Sequence, residues 1–195
     1  MKKLLFLGLA ATMMLGLAVS SYAADAQVFI HVTVVSGVLG VERVSDEVID
    51  LDQVTVGTSA YTSEAQFRNS SDDTREDFSL SAENNVPTPW TWDTNAPGTA
   101  FGSANIARLT GLWRATGDTP DPTDFLADDV LTTTVTESTT DIYAVSGDSD
   151  AVKGFNIDAN DSRYIFFRFD APIAGSDNIG VRTDITVTVT ASSAI

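Results

Sequence analysis

"QVFIHVTVV", Gln27 to Val35, decides the fold class of this chain. Side chains alternate across a strand with a period of two, so Val28, Ile30, Val32 and Val34 share one face and Phe29, His31, Thr33 and Val35 the other. Both faces are largely apolar, which predicts a strand of about nine residues covered on both sides. The same alternation recurs along the sequence, and no stretch after the first two dozen residues carries a convincing period of 3.6.

Upstream, "MKKLLFLGLAATMMLGLAVSSYA" combines two lysines, an apolar run from Leu4 to Val19 and small residues around Ala23. That pattern predicts a cleaved secretory signal over residues 1–23 and a single domain over 24–195. A membrane anchor is the competing reading, but the run is somewhat short for a bilayer core of about 30 Å. No second apolar run of that length follows, so no membrane span is expected after cleavage.

The chain has no cysteine, which excludes a disulfide framework and thiolate metal ligation. Acidic residues number 27 against 11 basic ones, for a net charge of −16, and two of the lysines lie in the leader. A chain this acidic is not expected to bind nucleic acid, which requires Lys and Arg against phosphates.

"GVERV", "EVIDLDQVTVG", "SEAQFRNSS" and "EDFSLSA" read as further strands, with Phe78, Leu80 and Ala82 on one side of the last. Residues 84–103, with three of the six prolines, read as a loop. "ANIARLTGLWRA", the Thr-rich "DVLTTTVTEST", "DIYAVSG" and "KGFNID" follow as strand candidates. In "SRYIFFRFDAP", Tyr164, Phe166 and Arg168 face opposite to Ile165, Phe167 and Phe169, and Ile185, Val187, Val189 and Ala191 share a face of the closing strand. The expectation is an all-β protein, an antiparallel β-sandwich of Ig-like or jelly-roll-like type with roughly nine to eleven strands. An outer-membrane barrel is the rival, but the acidic loops and Thr-lined strands fit it poorly.

Catalytic chemistry is sparse. The single histidine, His31, lies inside a strand, no Gly-x-Ser-x-Gly elbow occurs, and one His without Cys disfavours zinc. Among 27 acids a chance carboxylate pair is nearly guaranteed, so it does not argue for a glycosidase. The expectation is no enzyme and no cofactor. Calcium takes clustered Asp, Asn and carbonyl oxygens. "DANDS" offers Asp158, Asn160 and Asp161, and "GDSD" offers Asp148 and Asp150, as candidate ligands of a weak site; neither completes a twelve-residue loop, and turn stabilisation explains both. Trp90 and Trp92, one residue apart, are candidate sugar-stacking rings, with burial in the core the competing reading. Asn69 and Asn160 match the glycosylation pattern, which turn chemistry also explains.

The leader, "QVFIHVTVV" directly after it and "DITVTVTA" at 184–191 together resemble the organisation of exported bacterial fibre and surface-layer subunits of the pilin-like or matrix-fibre type. That resemblance implies a sandwich that can polymerise by strand donation, with Val28, Ile30, Val32 and Val34 on the candidate assembly strand, whereas the two apolar faces of the segment by themselves favour a central strand of the chain's own sandwich. The absence of Cys departs from the disulfide-bearing pilins. The sequence therefore predicts a non-enzymatic, secreted or cell-surface structural subunit that assembles with itself. A secreted carbohydrate-binding or adhesion module using Trp90 and Trp92, with a polysaccharide partner, is the alternative, and a periplasmic location is the alternative to export.

Overall fold

The computed structural model describes residues 40–45, 48–83, 86, 89–93, 105–145, 153–173, 180 and 182–194, together with the strand path over 27–36. The protein is all-β. Its strands are β1 (Gln27–Ser36), β2 (Val41–Arg43), β3 (Val48–Thr55), β4 (Ser59–Tyr61), β5 (Ala65–Asn69), β6 (Glu76–Ala82), β7 (Thr91–Trp92), β8 (Ile106–Arg114), β9 (Thr136–Glu137), β10 (Ser162–Asp170) and β11 (Arg182–Ser193). Two single 3-10 turns, Pro122–Asp124 and Ala127–Asp129, accompany them. Among the described residues no helix is long and apolar enough to cross a membrane.

One sheet has the order β3-β1-β11-β6-β9, the other β2-β5-β10-β8-β7, with β4 also pairing β10. Alternation in the sequence sets which side of each strand is buried. In β10, Ile165, Phe167 and Phe169 are fully buried in the main core, while Phe166 joins Leu112 and Phe125 in a smaller cluster on the other face. Phe78, Leu80, Ile185, Val187 and Val189 from the first sheet fall in the same main core as Phe67, Leu109 and Ile165 from the second.

Trp113 on β8 joins the two contributions. Its ring meets Phe67 of β5 edge-on, centroids 6.1 Å apart, and Phe78 of β6 at 5.4 Å. Edge-on and tilted contacts suit the ring quadrupoles and add to the burial of three large side chains. Gly154 leaves the space that Trp113 fills: a Cβ there would lie 2.3 Å from Trp113 Cδ1.

Three expectations are corrected. The sheets are mixed rather than antiparallel throughout, because β1 pairs β11 in parallel and β7 pairs β8 in parallel. Since β3 is antiparallel to β1, β3 and β11 run opposite to each other, and a strand seated between them must be parallel to one. The Thr-rich stretch forms a strand only at Thr136–Glu137. Elsewhere its hydroxyls bond the local backbone, as when Thr139 Oγ1 accepts from the amides of Asp141 and Ile142, and so compete with a ladder. "DIYAVSG" and "KGFNID" likewise contribute no ladder over the described residues beyond the single bridge Glu76 to Ile157.

Their irregular backbone still covers edges. Leu131 N donates to Leu109 O of β8, while Thr132 O, one residue on, accepts from Ala82 N of β6. Farther along, Tyr143 O takes Trp113 N, Ser138 N donates to Phe78 O, and Gly154 O takes Phe78 N. One segment thus closes an edge of both sheets. Gly154→Ala is expected to lower stability by about 1–3 kcal/mol through overpacking against Trp113, read as a lower urea midpoint at unchanged slope.

Candidate functional site

The sequence singled out β1, and the ladders show how it is held. On one side it pairs β11 from Phe29 with Arg182 to Ser36 with Val189; on the other it pairs β3 from Gln27 with Thr55 to Thr33 with Val48. Register fixes its faces, because directly opposed residues share a side of the sheet. Val28 is opposite Val54, Ile30 opposite Thr183, Val32 between Ile49 and Ile185, and Val34 opposite Val187. All five of those partners are at most 5 % exposed, so the four β1 positions lie in core-facing rows. The alternate row contains His31, opposite Asp50 and Asp184, both exposed. The register shifts between Ile30 and His31, where β3 carries one extra residue, Leu51.

β1 is therefore an interior strand of its sheet, while β3 forms that sheet's edge. An edge strand exposes unpaired backbone groups, and the bulge together with Asp50 on β3 is the kind of device that discourages indiscriminate pairing.

The other sequence candidates separate. Asp158 forms an ion pair with Arg75, and Asp161 N donates to Asp158 O at 3.0 Å. Asn160 adopts a left-handed backbone with φ 65°, which Asn tolerates well. Its amide donates to Asn69 O while Asn69 N donates to Asp161 O, both at 2.9 Å, so this turn is fastened to the end of β5. Asp148 and Asp150 lie outside the described residues. Among the described residues, no three His, Cys, Asp or Glu side chains cluster as a metal site would need. Asn69 is fully buried, with Nδ2 donating to Thr74 O and Ile157 O, which leaves no room for a glycan in the folded state.

Trp90 is 4 % exposed and belongs to the main core, and Trp92 is half-buried on β7 and packs against that core. Stacking on a sugar needs an open ring face, so the pair does not form the exposed platform considered from the sequence. Trp92 pairs Ala107 of β8 and Asp93 N donates to Ala107 O, which extends β8's edge and explains the inward position of the rings.

A polar cluster that sequence inspection did not find lies beside them. Arg108, fully buried on the face of β8 opposite Leu109, ion-pairs with Asp93 and, at 3.3 Å, with Asp170 of β10. Asp170 also accepts from Arg168 Nε at 2.8 Å and from Ser59 Oγ. The only sequence signal is an arginine inside the apolar run "IARLTGLW". Two arginines and two aspartates neutralise one another, so the cluster reads as a structural lock. Arg108→Ala would leave both carboxylates buried without it, and should cost about 3–5 kcal/mol of stability, measured by urea unfolding.

Asp129 is a second lock. It is fully buried, and its carboxylate accepts from Leu126 N at 2.7 Å and Ala144 N at 3.2 Å, tying together both ends of the segment that closes the sheet edges. Burial outweighs these bonds and raises its pKa from 3.8 to about 7. The folded state therefore holds a proton that the unfolded chain releases between these two values, so Asp129's contribution to stability falls as pH rises across that window. Asp129→Asn does not titrate; its stability relative to the parent should improve from pH 4 to about 7 and level off above, as checked by urea midpoints of both proteins at matched pH.

No protein-family model matches this chain, and neither does any curated protein.

Proposed function

We propose that this chain is a non-enzymatic, exported structural protein, the subunit of an extracellular filament or surface layer, and that its two sheets pack face to face as a sandwich whose first strand can be exchanged between copies. The observation that carries the reading is the seat of β1. It is an interior strand of its sheet, its pairing partners Ile49, Val54, Ile185 and Val187 are buried, and the next strand, β2, follows it in the other sheet. The same segment from a neighbouring copy would meet the same two ladders and the same buried row.

Exchange has a physical driving force. A subunit lacking β1 in its seat exposes Ile49, Val54, Ile185 and Val187 and leaves β11 and β3 each with an unpaired edge. Filling that groove from a neighbour restores burial and hydrogen bonding without new surface having to evolve. The acidic composition keeps subunits soluble until they engage.

The cysteine-free chain allows a direct test. Thr33 and Thr186 are opposed across the β1–β11 ladder, within reach of a disulfide. Thr33→Cys and Thr186→Cys proteins with different tags, unfolded together, refolded and oxidised, should give a covalent heterodimer, and negative-stain microscopy of concentrated unmodified protein should show filaments or sheets. Strictly monomeric protein, with a disulfide forming only when both cysteines are in one chain, would refute strand exchange.

A further inference from the structure

Glu76 opens β6 at the end of the row that continues through Phe78, Leu80 and Ala82, so the alternation that buries those three carries a carboxyl to the rim of the main core. Only 7 % of the residue is exposed, and its Oε2 is buried without a hydrogen-bond partner among the described residues. The carboxyl lies against Gly40, the residue before β2, where an added Cβ would overlap it. Gly40 holds φ 95°, a conformation glycine adopts freely, and its O accepts from Ser70 N, just past β5, at 2.6 Å. We propose that Glu76 is an acid-operated latch between the two sheets: protonated, it holds Gly40 and the start of β2 in place, and ionised, it loosens them.

The contact spans the sheets because Glu76 belongs to β3-β1-β11-β6-β9, whereas Gly40 leads into β2 of the other. Backbone bonds fix the Glu76 end. Its N donates to Ile157 O at 3.1 Å, Ile157 N donates back to its O at 2.9 Å, and it pairs Ser193 of β11. Strain at the carboxyl is therefore relieved by moving the side chain and the glycine that faces it, not the strand.

Burial costs a neutral carboxyl little and an unpaired carboxylate much more. The surrounding arginines are engaged elsewhere. Glu42 of β2 pairs with Arg68 of β5, Arg75 pairs with Asp158, and Arg163, faced by Asp158 and Asp161, donates to Lys153 O and Ser162 O. Asp77 and Glu137 lie on the opposite face of β6, and β11 offers Ser193. Burial accordingly raises the Glu76 pKa above its ordinary 4.5. The folded state keeps this proton to higher pH than the unfolded chain does, so the latch is closed in mildly acidic solution and opens as pH rises through the folded pKa. If strand exchange operates, loosening β2, the next strand after β1, would ease exchange as pH rises; that consequence rests on the assembly reading, while the latch itself does not.

The test follows amide hydrogen exchange by NMR, from about pH 4 to about pH 8, in the chain lacking residues 1–23 and in its Glu76→Gln variant. Protection of the Ser70 amide, which reports on Gly40, should fall in the parent as pH rises and stay level in Glu76→Gln. The Trp113 amide, bonded to Tyr143 O, should not separate the two proteins. A carbon-13 titration of the Glu76 carboxyl in the parent should place its midpoint above the ordinary glutamate value. The same Ser70 profile in both proteins, or a Glu76 midpoint at or below that value, would overturn the latch. If Glu76→Gln does not fold, the parent decides alone, through the carboxyl titration and through divergence of Ser70 from Trp113 protection with pH, the lack of either counting against the proposal. All readouts are taken on unassembled protein, so they stand or fall apart from filament formation.

Discussion

β11 is paired along both edges only because the first strand of the structure returns to lie beside the last. The β1–β11 ladder runs for eight residue pairs and the β1–β3 ladder continues the sheet to its edge. Without β1, the longest strand would lose one side, β3 would have nothing to join, and the rows headed by Ile185 and Val187 would meet water. Parallel pairing follows from the opposite directions of β3 and β11 and needs no further cause. The closure is long in sequence terms, joining residues 29–36 to 182–189, so the loop-closure entropy it must overcome is large.

At the opposite side, edges are handled by a different device. β6 and β8 border an irregular segment that gives one backbone bond to one sheet and the next to the other, through Leu131 and Thr132 and again through Ser138 and Tyr143. Regular strands there would have offered templates for foreign chains; isolated bonds from a winding segment satisfy the same groups without presenting a ladder. Asp129 fastens the two ends of that segment, and the Arg108 cluster fastens β7's continuation to β10.

Long alternating runs were legible in the sequence: the buried side of β6, β10 and β11 follows directly from Phe78 and Leu80, from Ile165, Phe167 and Phe169, and from Ile185 to Val189. Short elements were not, because β4, β7 and β9 are two or three residues long and depend on partners distant in the chain. Threonine misled most: its strand preference over 132–140 yields to local hydroxyl bonds. Trp90 and Trp92 show the same limit for sites, since spacing within "WTW" cannot reveal that β7 is drawn against β8.

Lysine chemistry draws out one last property. Outside the first 23 residues the chain has a single lysine, Lys153, which is 4 % exposed and donates from Nζ to Thr140 O at 2.9 Å. Arg108 and Arg163 are buried as well, and Arg163 Nε donates to Lys153 O. A folded protein with this distribution presents few nucleophilic amines to aldehydes or activated esters, and withholds Lys153, Arg108 and Arg163 from a trypsin-like protease until the core opens. Arg75 and Arg182, by contrast, are well exposed, so the lysine side chain is kept from such reagents while arginine cleavage remains open at these two positions.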